Sequence, residues 1–149
     1  MVYLADTNVA ARWGLTGDPQ YSTIRQAILT LQAQGEIVYI TAQVLVEFHA
    51  LATRSAESNG LGWTAAAARS EARKIEAVFP LLPEVDTIYP LWCALVDGYG
   101  IISRQVYDAR LVAVMQAHGI SHILTLNGNH FRRFSSVVVV DPHSLVSAP

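Results

Sequence analysis

The sequence holds one cysteine, Cys93, and one lysine, Lys74, in 149 residues. A single thiol cannot close an internal disulfide, and no Cys/His spacing suits a zinc site, which fits a reducing cytoplasm. No Gly-x-x-x-x-Gly-Lys-Ser/Thr segment occurs, so a P-loop nucleotide enzyme is excluded. Apolar runs stay short of the roughly 18 to 20 residues a membrane span needs, and no basic segment leads into an apolar stretch at the N-terminus. Charge is scarce: 15% of residues are charged, with a net charge of −2. No bulk positive field advertises nucleic acid, so any such contact needs locally clustered arginines. What is abundant is apolar surface. At 52% hydrophobic the chain can bury the core of one domain, and disorder is not expected.

Four apolar runs of strand length, Val2 to Ala5, Ile37 to Ile40, Ile123 to Leu126 and Val137 to Val140, are rich in β-branched residues and lack polar alternation. That pattern predicts strands buried on both faces of a parallel sheet. Helical spacing fills the segments between them, at Ser22 to Gln34, Gln43 to Thr53, an alanine-rich stretch capped by Thr64 and running to Val78, Tyr89 to Val96, and Val106 to Ala117. His118-Gly119 ends the last of these, while Asp18-Pro19 and Asp141-Pro142 read as turns. Strands alternating with helices, with no repeat, linker or charge block, predict one α/β domain around a central parallel sheet.

The informative residues are acids in costly places. Asp6 ends the first apolar run, in Leu4-Ala5-Asp6-Thr7-Asn8-Val9-Ala10. It reads either as the cap of a following helix or as an active-site residue at the carboxyl end of a parallel strand. Glu47 shares a helical stripe with Val44, Phe48 and Leu51, and Asp108 shares one with Leu111, Val112 and Met115. Desolvating a carboxylate costs several kcal/mol unless something compensates. Pairing with Arg54, Arg104 or Arg110 is the structural explanation for the two helical acids. A hard cation shared with Asp6 is the functional one, because clustered carboxylates otherwise repel. Magnesium or manganese suits oxygen ligands, binds phosphate and activates water, so the cluster points to phosphodiester hydrolysis. Glu71 and Glu76, among Arg69, Arg73 and Lys74, read as a solvated helix face. None of the five dispersed histidines is assigned a catalytic role.

In order along the chain, Leu4-Ala5-Asp6-Thr7-Asn8-Val9, a helical Val44-Leu45-Val46-Glu47-Phe48, the segment Val106 to Ile120 and then Ile123 to Phe131 resemble the PIN-domain nucleases. The similarity is greatest to the VapC toxins of type II toxin–antitoxin pairs. Each motif is weak alone, but four in this order and spacing are fairly specific. The resemblance runs from Val2 to about Asp141 and implies a single PIN-like domain over 1–149, with its core at about 2–141. It implies that Asp6, Glu47 and Asp108 hold a divalent Mg2+ or Mn2+ ion, with Thr7 and Asn8 as supporting polar residues. The fourth acidic position of the family falls on Asn127, a departure from the usual Asp. An amide oxygen can ligate a cation but brings no charge and cannot serve as a base. Asn127-Gly128 also reads as a turn pair that starts a short helix.

The resemblance further implies a metal-dependent endoribonuclease that hydrolyses RNA phosphodiesters, an antitoxin partner seated on the helices from Val9 to Trp13 onward, and a homodimer. The catalytic set is Asp6, Glu47, Asp108 and Asn127. Arg104, Arg132 and Arg133 are candidate RNA contacts, the last two flanked by Phe131 and Phe134. Phosphoaspartate families fit less well, since they need a lysine near the reactive Asp and Lys74 lies on the solvated face. The alternative is a non-catalytic PIN-like module that binds RNA or protein, a reading that Asn127 keeps open.

Overall fold

The computed structural model describes residues 1–146. The four β-branched segments form one all-parallel sheet of β1 (Val2–Ala5), β2 (Ile37–Tyr39), β3 (His122–Leu124) and β4 (Val138–Val140), in the spatial order β2-β1-β3-β4. Leu4 pairs with Tyr39 on one side and Ile123 on the other, and Ile123 pairs in turn with Val139. Burial on both faces holds for the two central strands, where Leu4, Ala5, Ile123 and Leu124 are sealed from solvent. It does not hold for the outer two. Ile37 is 45% and Val138 48% exposed, because an edge strand lacks a neighbour and cover on one side.

The helices are α1 (Thr7–Ala10), α2 (Tyr21–Ala33), α3 (Ala42–Thr53), α4 (Ala65–Val78), α5 (Ile88–Tyr99), α6 (Gln105–Ala117) and α7 (Pro142–Val146). They pack in pairs, α2 on α7, α3 on α4 and α5 on α6. Threonine caps open two of them: Thr41 Oγ1 accepts from Val44 N at 3.2 Å to open α3, and Thr64 Oγ1 accepts from Ala67 N at 3.1 Å to open α4. Gly119, at φ +65°, supplies the left-handed turn that follows α6.

Two expectations need correction. The third strand stops at Leu124, not at Leu126, because the Leu126 N–H donates to Asn8 Oδ1 at 3.0 Å. Asp141-Pro142 opens α7 and is not a turn between elements. Proline sits at the first helical position, and Asp141 Oδ1 accepts from His143 N at 2.9 Å. Phe48, Phe79, Phe131 and Phe134 are fully buried, so the phenylalanines flanking Arg132 and Arg133 belong to the core. Among the described residues, no helix is long and apolar enough to cross a membrane.

Candidate active site

From β1 the chain moves to β2 on one side and later returns to β3 on the other, so strand order reverses between β1 and β3. Crevices at the carboxyl ends of strands flanking such a reversal are where open α/β sheets bind ligands. Asp6 is the first residue beyond β1 and Thr125 the first beyond β3. The Thr125 hydroxyl donates to Asp6 Oδ2 at 2.8 Å, and Asn8 Nδ2 donates to the same oxygen at 3.0 Å. Thr7 N donates to Asp6 Oδ1 at 2.7 Å, so Asp6 also caps α1. Asp6 therefore caps α1 and stands at the carboxyl end of a parallel strand at once. Asp6 is 7% exposed. Burial pushes its carboxyl above the usual range, the Thr125 and Thr7 hydrogen bonds pull it back, and the charge of Glu47 pushes it up again.

Glu47 arrives on α3, half-buried beside the sealed Val44 and Phe48. Its Oε2 accepts from the Thr7 hydroxyl at 2.7 Å and its Oε1 from Gln43 Nε2 at 2.7 Å. Thr7 thus ties the first two acids together through its backbone and its side chain. Asp108, in the first turn of α6, has a side chain 26% exposed with Oδ2 3.3 Å from His130 Nδ1. Burial raises its carboxyl to about 6; His130 and Arg133 oppose the rise, while the charges of Asp6 and Glu47 reinforce it. Three acids from distant parts of the chain therefore sense one another's charge. Among the described residues, neither Glu47 nor Asp108 makes an ion pair with an arginine. Arg110, expected near Asp108, instead pairs with Glu84 at 2.7 Å.

No group of three or more His, Cys, Asp or Glu side chains among the described residues is already gathered tightly enough to hold a metal ion. The three acids are linked instead by their charges, which act on Asp6 and Asp108. In kind, the donor set fits a hard divalent cation: every donor is oxygen, and Glu47 is oriented only by neutral donors that leave its charge in place.

Asn127 lies exposed at the mouth, and its backbone N–H donates to Thr125 Oγ1 at 3.0 Å. It precedes a 3-10 turn at Gly128–His130, the short helix anticipated from Asn127-Gly128. A Cβ on Gly128 would lie 2.7 Å from Val139 Cγ1, so this loop is pressed against β4. Arg104 and Arg133 line a cavity of about 360 Å3 with Asp108 and His130. Arg132 lines a neighbouring one of about 350 Å3 with Asn127 and Asp141, and its Nη1 donates to Asn129 Oδ1 at 2.7 Å. A larger cavity of about 490 Å3, lined by Glu84, Tyr89, Trp92 and Arg110, holds none of the three acids.

Three residues of the site were not singled out from the sequence. Gln43 carried a usable signal, since it stands four residues before Glu47 and so one turn away on the same helix face. Thr125 was visible only as a neighbour of Asn127. His130, in a loop with no periodicity to read, carried none.

A family profile described as PIN domain matches residues 3–136. No curated protein matches the chain. Among solved structures, VapBC2 from Rickettsia felis bound to a promoter DNA fragment is similar at 16% identity and a TM-score of 0.69, covering 95% of this chain and 98% of that one. A toxin–antitoxin complex from Klebsiella pneumoniae is similar at 21% identity and a TM-score of 0.63, covering 94% and 97%. The Mycobacterium tuberculosis VapC20, a toxin that cleaves the sarcin-ricin loop, is similar at 22% identity and a TM-score of 0.59, covering 89% and 95%. At these identities the likeness is one of fold.

Proposed function

The chain belongs to the PIN domain family, and from that premise we propose that it is a metal-dependent endoribonuclease, the toxin of a toxin–antitoxin pair. The observation that carries this reading is that Asp6, beside the strand-order reversal, and Asp108 each feel the charge of Glu47, while among the described residues neither Glu47 nor Asp108 makes an ion pair with an arginine. Asp6, Glu47 and Asp108 would hold Mg2+ or Mn2+, with Asn127 assisting. When bound, the ion supplies charge neutralisation at the phosphate and a lowered pKa for the attacking water. The chain's own part is positioning. Thr125, Asn8 and Thr7 fix both oxygens of Asp6, and Thr7 and Gln43 fix those of Glu47. Arg104 and Arg133 border Asp108 and offer cations to an RNA backbone, with Arg132 one recess further out.

The VapBC and toxin–antitoxin complexes among the similar structures support an antitoxin partner for this chain. A homodimer in the cytoplasm completes the proposal. The test is cleavage of RNA by purified protein with Mg2+ or Mn2+, with chelator, and after Asp6→Asn or Asp108→Asn. Cleavage should fall roughly 100-fold or more in each variant and vanish in chelator. Undiminished cleavage in either variant or in chelator would sink the assignment. A binding module without catalysis is the second reading, favoured by one observation: Asn127 brings no carboxylate to the recess. RNA binding with neither cleavage nor affinity for Mn2+ would select it.

A further inference from the structure

Gln43 makes three hydrogen bonds from a single amide. Its Nε2 donates to Glu47 Oε1 at 2.7 Å and to the Tyr107 carbonyl at 2.9 Å. Its Oε1 accepts from Arg110 Nη1 at 3.3 Å, and Arg110 Nη2 donates to Glu84 Oε2 at 2.7 Å. Only one orientation of the amide satisfies this set. A guanidinium donates but never accepts, while a carboxylate and a carbonyl accept but never donate, so a flipped amide would lose every partner.

We infer that Gln43 is the positioning residue for Glu47, locked by Arg110 of α6, itself paired with Glu84 from the segment before α5, and that this chain of contacts orients the carboxylate without neutralising it. The inference rests on the proposed metal-dependent reading and deepens it. A guanidinium placed directly on Glu47 would satisfy the carboxylate and compete with a cation. Here the guanidinium is held one residue back. The neutral amide transmits its geometric constraint, and Glu84 absorbs its charge. Glu47 is thereby gripped at one oxygen by Gln43 and at the other by Thr7. Each bond occupies one lone-pair direction and leaves another for a ligand. The helical offset of four residues makes the device possible within α3, and the Tyr107 carbonyl, next to Asp108, ties it to the helix that brings the third acid.

The test uses the full chain with Mn2+ alone, followed by electron paramagnetic resonance of the free ion. Gln43→Ala should weaken Mn2+ binding by about tenfold, the lower end of what partners of metal ligands usually contribute. Arg110→Ala should weaken it less, and the double variant should be no worse than Gln43→Ala, because Arg110 acts only through the amide. Losses that multiply in the double variant, or Gln43→Ala binding Mn2+ like the parent, overturn the inference. A second readout needs no metal. The side-chain amide of Gln43 should show two well-separated, exchange-protected proton resonances that move on Glu47→Gln and on Arg110→Ala. A solvent-like amide overturns the positioning role. A locked amide in a protein with no affinity for Mn2+ keeps that role and removes the metal from the proposed function.

Discussion

At the scale of single residues, the site is a matter of which oxygens carry charge. Asn127, which the family resemblance puts at the fourth acidic position, lines a cavity with Thr125 and donates its backbone N–H to the Thr125 hydroxyl. Asn127→Asp adds a negative charge there, so Mn2+ should bind roughly tenfold tighter, as a partly screened charge at short range would give. Unchanged or weaker affinity in a titration calorimeter would mean that the side chain faces away from the ion. Asp6, Glu47 and Asp108 stood out in the sequence because each is an acid where apolar burial makes it expensive. Thr125 and His130 did not, because an uncharged side chain, or one in a loop, violates no burial rule and becomes informative only when a distant partner is known; Gln43 offered only its spacing of four residues from Glu47.

At the scale of elements, the strongest signals were runs of β-branched residues and the cap at Thr64. Val2 to Ala5 was read to the residue, and Thr64 was read as a cap that the structure contains. The third strand was overextended because its end is set by a side chain 118 positions away in sequence, Asn8, which takes the Leu126 N–H. Helix α7 was missed because Asp-Pro opens turns and helices alike. The two threonine caps offer a controlled comparison. Thr41→Ala and Thr64→Ala should each cost about 1 kcal/mol in urea unfolding. Only the first lies at the start of the helix carrying Gln43 and Glu47, so only Thr41→Ala should also weaken Mn2+ binding. Equal binding by the two variants would show that the first turn of α3 does not control the carboxylate.

At the scale of the whole molecule, stability and ligand binding are linked through protons. The Asp108 carboxyl is raised to about 6 from an ordinary 3.8, so the folded protein holds this proton more tightly than the unfolded chain. This contribution is fully present below about pH 3.8 and is lost as pH rises through about 6. In chelator, the melting temperature of the parent relative to Asp108→Asn should therefore fall across that window; a difference that stays flat with pH would contradict the link. A divalent cation competes with the same proton, so stabilisation by Mn2+ should grow over the same range, reaching about 2.7 kcal/mol at one hundred times its dissociation constant.

The strand-order reversal that builds the recess also imposes a schedule. Asp6 and Glu47 are synthesised well before β3 and Thr125, and the Thr125 hydroxyl that holds Asp6 lies 119 residues after it. Because β3 is a central strand, a chain lacking it has neither a continuous sheet nor the Thr125 hydrogen bond to the first acid. On the proposed function, the nuclease stays inert until β3 has been made and paired, which leaves an interval in which the proposed antitoxin can reach the chain first.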